Sequence, residues 1–447
     1  MLVEHGSIRG NSSQAKRLSL LDKQQASAHM SPSDNAPLQN SLTGKIDPQT
    51  GMYRHGFGLN AEVEHVIEND YRSPVIDYLR QNDFRATVEG LEILLAREFG
   101  FCYGVDKAVD YAYQTRRMFP DRRIFLTAEI IHNPGVNQRL REMGIEFLSG
   151  RYRSSVTYED LTPQDIVILP AFGAAVEEIE RLRARGCTIV DTTCGSVIHV
   201  WKRVEKYARD GFTAVIHGKY RHEETIATSS RVAQFPNGRY VIVRDKDEAQ
   251  LLCDFITGTC SAEVVRERLG HAASPNFDPA RDLVRVGIAN QTTMLSSESL
   301  EIAEMLRRAM AARYGEAALN EHFRSFDTIC SATQDRQDAM HALGELKPQL
   351  ILVVGGFNSS NTSHLVEIAA EYCPAYHIES VADILSAETL RHKHWAKPEA
   401  EVAHGWLPPL PTRIGFTGGA STPDRAIGDV ILRVLELYGL TWSPAQK

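Results

Sequence analysis

Leu91-Glu92-Ile93-Leu94-Leu95-Ala96, the turn Gly100-Phe101-Cys102-Tyr103-Gly104 and the amphipathic stretch Val105 to Met118 read together as strand, turn and helix. The same grammar recurs twice. Thr188 to Val190 runs into Asp191-Thr192-Thr193-Cys194-Gly195 and then into an amphipathic stretch from Val197 to Arg209. Asp327-Thr328-Ile329-Cys330-Ser331 precedes a helical pattern from Arg336 to Leu346. A cysteine at a strand-to-helix turn stands at the carboxyl end of a strand, where ligands collect in open α/β sheets. Three such ends meeting at one point would make a site of three thiolates, suited to iron–sulfur clusters or zinc.

Other strand-length apolar runs are Ile166 to Leu169, Ala214 to Ile216, Val284 to Ile288, Leu350 to Val354 and Ile414 to Thr417. Between them lie amphipathic stretches at Ala175 to Arg185, Ser297 to Tyr314, His364 to Cys373 and Asp424 to Tyr438. This alternation predicts parallel or mixed sheets covered by helices. The cysteine turns divide it into three comparable portions.

The chain has seven cysteines in 447 residues. Cys187, Cys253, Cys260 and Cys373 stand outside strand-to-helix turns and read as small buried hydrophobes. The odd count and the length speak against a disulfide framework. Structural zinc sites normally carry ligand pairs two to four residues apart, which this chain lacks. Hydrophobic residues make up 43% and charged residues 24%, with a net charge of −8. That balance describes a globular chain without bulk attraction to nucleic acid or acidic lipid. No apolar stretch approaches the roughly 20 residues of a membrane helix. Residues 1–50 read as a disordered extension rich in Ser, Gln, Asn and Ala. Residues 51–90 read as an arm on the main body, with helical patterns at Ala61 to Asn69 and Ser73 to Gln81.

Polar clusters follow several strands. Asn358-Ser359-Ser360-Asn361-Thr362 comes before a helix beginning near Ser363, and Gly418-Gly419-Ala420-Ser421-Thr422-Pro423-Asp424 comes before the last helix, with Pro423 suited to its first position. Backbone N–H groups and hydroxyls at helix starts bind anions, phosphate above all. Ile131-His132-Asn133-Pro134 and His217-Gly218-Lys219-Tyr220-Arg221-His222-Glu223-Glu224-Thr225 add cations and a carboxylate able to move protons. Asn290-Gln291-Thr292-Thr293 could orient that carboxylate.

Taken in order, Gly-Phe-Cys-Tyr-Gly-Val, Glu-Ile-Ile-His-Asn-Pro, Asp-Thr-Thr-Cys, His-Glu-Glu-Thr, Asn-Gln-Thr-Thr, Asn-Ser-Ser-Asn and Gly-Gly-Ala-Ser-Thr-Pro-Asp resemble the 4-hydroxy-3-methylbut-2-enyl diphosphate reductase family (the IspH/LytB type). The match runs from about Leu91 to the last helix. The arm Met52-Tyr53-Arg54-His55-Gly56-Phe57-Gly58 and the stretches near 235–280 and 385–410 look like the long form of plants and cyanobacteria.

The resemblance implies a trefoil of three similar α/β domains around a central [4Fe–4S] cluster, with an N-terminal extension. Residues 91–103 would belong to the third domain, followed by domains at 104–194, 195–326 and 327–447. Cys102, Cys194 and Cys330 would hold the cluster and leave one iron open to the substrate. Glu224 would donate a proton, with Thr292 as its partner. His132, His222, Ser359, Ser360, Asn361 and Ser421 would hold the diphosphate. Many members carry Ala-His-Gly where this chain has Ala171-Phe172-Gly173, and that histidine contacts the diphosphate; Lys219 is the candidate replacement. The implied activity is reductive dehydroxylation to isopentenyl and dimethylallyl diphosphates, the last step of the non-mevalonate isoprenoid route. Electrons would come from a donor such as ferredoxin or flavodoxin, and the place would be the cytoplasm, or the plastid stroma in a plant-like source. A quinolinate synthase-like enzyme and a non-catalytic iron–sulfur sensor are the alternatives. The first should lack the Asn-Ser-Ser-Asn and His-Glu-Glu-Thr pairing, and the second calls for a basic DNA-binding module that this sequence does not show.

Overall fold

Leu350–Val354 carries no polar side chain, so it suits a strand covered on both faces rather than one with a wet face. In the computed structural model, which describes residues 46–47, 50–326 and 328–443, all five of its residues are buried. It lies in a seven-stranded sheet between Ala375–Ile378 and Thr412–Gly418, parallel to both. Leu91–Leu95 continues the parallel run beyond Thr412–Gly418, with Ile93 opposite Ile414. The turn of Cys102 therefore grows from a sheet whose other strands, apart from Arg85–Val88, come from the last hundred residues of the chain. Antiparallel strands close both edges: Arg85–Val88 on one side, and Thr389–Lys393 with Ala400–His404 on the other.

Two further sheets share this plan. Thr188–Asp191, Ile166–Leu169, Ile124–Leu126 and Ile145–Phe147 form four parallel strands of a six-stranded sheet. Tyr240–Val243, Thr213–His217, Val286–Asn290 and Phe323–Ser325 form a sheet parallel throughout. The architecture is α/β with mixed sheets, as read from the sequence. The sheets are unequal in size, six, four and seven strands, and only their parallel centres are alike.

Residues 1–45, read as disordered, lie outside the described residues. Ile46–Asp47, inside the same stretch, instead pairs antiparallel with Met52–Tyr53, and Tyr53 pairs with Val190 of the six-stranded sheet. The arm continues as helices Asn60–Tyr71 and Pro74–Gln81. The first packs Val63 and Tyr71 against Val105, Val109 and Tyr113 of the helix that follows Cys102. The second packs Val75, Ile76 and Leu79 against Ile427, Val430 and Ile431 of the last helix.

Several helix starts differ from expectation, the pattern read from Arg336 most of all, since that helix begins at Ser331 with Cys330 as its cap. The helix expected near Ser363 begins at Ser360, because the Ser359 side chain accepts the Thr362 N–H and caps it. Pro423 is the cap residue rather than the first helical one, with the helix at Asp424–Leu437. Among the described residues no helix is long and apolar enough to cross a membrane.

Candidate active site

Each of the three turn cysteines is the cap residue of a helix: Cys102 of Tyr103–Met118, Cys194 of Gly195–Arg209 and Cys330 of Ser331–Gly344. Each backbone N–H is tied to a loop after a neighbouring strand. Cys102 donates to Ala420 O at 3.1 Å, Cys194 to Ala171 O at 2.8 Å and Cys330 to Thr292 O at 3.4 Å. One cysteine thus comes from each sheet, and all three line one cavity of about 100 Å³. That is several times the ~30 Å³ share of one water. Gly104 lets the first helix pass under the second thiol, since a Cβ there would lie 2.5 Å from Cys194 Sγ.

Burial pushes the Cys102 thiol up, and Cys330 to about 11, against the N–H groups of their own helix starts. Thr333 N–H reaches Cys330 Sγ at 3.3 Å, and Thr333 Oγ1 lies 2.9 Å from it. Three partly buried thiols at the positive ends of three helices form a pocket for an anionic, sulfur-liganded group. Ligand sulfurs 2.3 Å from a single tetrahedral ion would sit about 3.8 Å apart. Among the described residues, the potential ligand atoms within 4.8 Å of one another are those of His132, His222 and Glu223, not the three sulfurs. The donor set fits a cluster better than one ion. Of the remaining cysteines Cys253 is buried, as read from the sequence, but Cys187, Cys260 and Cys373 are partly exposed. Those three pack against the edges of hydrophobic clusters, and none of the four lines the cavity.

Glu224 enters the same cavity from the first turn of the helix Glu223–Ala233 and is 2% exposed. Thr292 N–H donates to its Oε1 at 2.6 Å and Thr292 Oγ1 to its Oε2 at 3.0 Å. Burial outweighs these two bonds and pushes the carboxyl up to about 7. A carboxyl near 7 holds a proton or gives it up close to neutral pH, as a general acid needs.

Helix starts build much of the rest of the wall. Ser359, Ser360 and Asn361 begin Ser360–Ala370, and all three are buried. Asn361 Oδ1 accepts the Ala420 N–H at 2.9 Å, while its Nδ2 has no protein partner. Ser421 Oγ donates to His132 O at 3.1 Å. His222 caps its helix by accepting the Glu224 N–H on Nδ1 at 3.2 Å. Its Nε2 lies 3.2 Å from His132 Nε2. Phe172 stacks on the His132 ring, centroids 4.6 Å apart and planes 15° off parallel. The free amide and the N–H-rich helix starts are chemically fitted to phosphate oxygens.

Every predicted site residue except Lys219 lines this cavity. Lys219 has an exposed side chain, and its backbone N–H donates to Gln291 Oε1 at 3.0 Å. Sequence reasoning gave no role to Glu129, and read Gln291 only within a stretch that could orient the carboxylate. Gln291 also accepts from Thr225 Oγ1 and reaches Ser360 Oγ at 3.2 Å, joining two sheets behind the site. Glu129 contacts His132 Nδ1 at 3.2 Å. Both stand inside motifs quoted for their neighbours, and position in the motif was the available signal.

Residues 93–435 match the family described as LytB protein. The chain is 48% identical over 398 residues to a 4-hydroxy-3-methylbut-2-enyl diphosphate reductase of Gloeobacter violaceus, covering 88% of this chain and 94% of that protein. It is likewise 48% identical over 386 residues to a protein of the same name from Thermosynechococcus vestitus, covering 86% and 94%. Its fold is similar to that of the E-1-hydroxy-2-methyl-but-2-enyl-4-diphosphate reductase from Plasmodium falciparum. There the TM-score is 0.55 at 22% identity, over 76% of this chain and 86% of the other.

Proposed function

The chain belongs to the LytB protein family, and from that premise we propose that Cys102, Cys194 and Cys330 hold a [4Fe–4S] cluster beside which Glu224 acts as proton donor. The reaction is the reductive dehydroxylation of 4-hydroxy-3-methylbut-2-enyl diphosphate, the final step of the non-mevalonate isoprenoid route. It consumes two electrons and two protons. The allylic C–O bond breaks, the hydroxyl leaves as water, and a C–H bond forms to give isopentenyl or dimethylallyl diphosphate. The cluster, when bound, supplies the electrons and an open coordination position. A carrier such as ferredoxin or flavodoxin would feed it in the cytoplasm, and the three sheets would stand as three lobes of a trefoil around it.

The protein's own part is binding, orientation and proton delivery. Ser359, Ser360, Asn361 and Ser421 offer hydroxyl, amide and backbone donors to the diphosphate, with His132 and His222 lining the same cavity. Clamping that end points the hydroxymethyl end toward the cysteines. Glu224, held by Thr292, then delivers a proton to the departing hydroxyl. The family match separates this reading from a quinolinate synthase-like enzyme or a sensor.

The observation that carries the reading is a buried carboxyl near 7 in one cavity with three cap cysteines. Glu224→Gln keeps the shape and one hydrogen-bond acceptor but carries no transferable proton. Turnover should fall by about 10²–10⁴ with substrate binding and iron content retained. Near-normal turnover in Glu224→Gln would remove it from the mechanism.

A further inference from the structure

His132 is buried, and its ring has neighbours on one face and at both nitrogens. Phe172 covers one face, His222 meets its edge at 5.0 Å between centroids, and Glu223 lies 3.7 Å from Nε2. On the far side Glu129 Oε2 lies 3.2 Å from Nδ1, and Asn358 Nδ2 donates to that same oxygen at 2.9 Å. Burial pushes the Glu129 carboxyl up, but the hydrogen bonds from His132 and Asn358, with the charge of Arg151, leave it below the ordinary range. Glu129 is therefore an acceptor only; Asn358 Nδ2 also lies 2.9 Å from Nδ1, and it is the contact on the other ring nitrogen that places the His132 hydrogen on Nδ1.

The tautomer of His222 is fixed as well. Its Nδ1 accepts the Glu224 N–H, so its proton sits on Nε2. Burial, with His132 and Lys219 nearby, holds its pKa well below the usual value and keeps it neutral. The short contact between the rings is then His222 Nε2–H donating to the bare Nε2 of His132. Without an anion the two rings satisfy each other.

A diphosphate changes this balance. If His222 turns its N–H to a phosphate oxygen, the lone pair on His132 Nε2 faces the same anion and repels it. A proton on that nitrogen converts the repulsion into a charge-assisted donor. Glu129 already stands behind the ring to balance the new charge, and the Phe172 face favours a stacked cation. Phe172 donates no hydrogen bond, and Lys219 does not line the cavity. We propose that Glu129 is the positioning counter-ion of His132, and that binding of a diphosphate to this chain is coupled to uptake of one proton by His132. The inference rests on the diphosphate reading of the site.

The test is calorimetric titration of the cluster-loaded, oxidised enzyme with 4-hydroxy-3-methylbut-2-enyl diphosphate at pH 8, in two buffers of different ionisation enthalpy. Without a reductant there is no turnover. Because Glu224 and His222 can also exchange protons, the readout is the difference between wild type and Glu129→Gln. Wild type should take up about one proton more than Glu129→Gln and bind roughly tenfold more tightly. Glu129→Asp, which keeps the charge, should recover most of the uptake. Equal proton uptake in wild type and Glu129→Gln, at unchanged iron content, would overturn the inference while leaving the diphosphate site standing. No binding by wild type would instead overturn the diphosphate reading itself.

Discussion

Glu224 has an acidity set by two opposing local effects, burial and the Thr292 hydrogen bonds. A proton donor works in its protonated form, so kcat/KM should be level below pH about 7 and fall about tenfold per pH unit above it. Thr292→Val removes the hydroxyl bond and leaves the backbone N–H in place. One carboxylate-stabilising contact is lost, so the alkaline limb should move to higher pH. A limb that stays fixed would show that Thr292 Oγ1 does not tune the donor. Gly104 gives a steric counterpart. In Gly104→Ala the new Cβ would meet Cys194 Sγ, whereas Gly195→Ala at the next helix start meets nothing within 4 Å. The first should lose iron and the second keep it; equal iron contents would refute this account of the packing. The identities of Glu224 and Thr292 were legible as motifs. The value near 7 was not, because it arises from burial by segments far apart in sequence.

The N-terminal arm shows how short elements act. Arg54 Nε donates to Asp191 Oδ2 at 2.8 Å, and Asp191 Oδ1 accepts the Thr193 N–H at 3.0 Å, one residue before Cys194. Gln114 Oε1, in the helix after Cys102, accepts the N–H groups of Phe57 and Leu59 at 2.8 and 3.2 Å. The arm therefore holds two of the three cysteine-bearing segments. Arg54→Ala leaves Asp191, 2% exposed, without its cation. The cost should be about 1–3 kcal/mol, read as a lower midpoint in thermal or denaturant unfolding. An unchanged midpoint would mean that the pair contributes nothing. The arm's helices were legible from their period, but its two-residue strands were not, since two residues carry no alternation. The early start of Ser360–Ala370 was hidden for a related reason. Asn, Ser and Thr favour turns by their own propensity, and only the Ser359 cap reveals that the helix has already begun.

Across the whole molecule, buried parallel strands were the most legible feature. Ile166–Leu169 and Leu350–Val354 have the bounds that their apolar runs predict. Ala400–His404 was missed because it is half exposed and reads Ala-Glu-Val-Ala-His, without a continuous apolar run. Ile145–Phe147 and Phe323–Ser325 are only three residues long and gave no pattern. That Cys102, Cys194 and Cys330 share one cavity follows from the way the three sheets present their strand ends. The measurement that tests this arrangement most directly is the count of iron and acid-labile sulfide per chain in anaerobically isolated wild type and single Cys→Ser variants. The account predicts about four of each in wild type. It predicts near-wild-type counts in Cys187→Ser, Cys253→Ser, Cys260→Ser and Cys373→Ser, and loss in Cys102→Ser, Cys194→Ser and Cys330→Ser. A wild type without sulfide, or iron retained in Cys330→Ser but lost in Cys373→Ser, would contradict it.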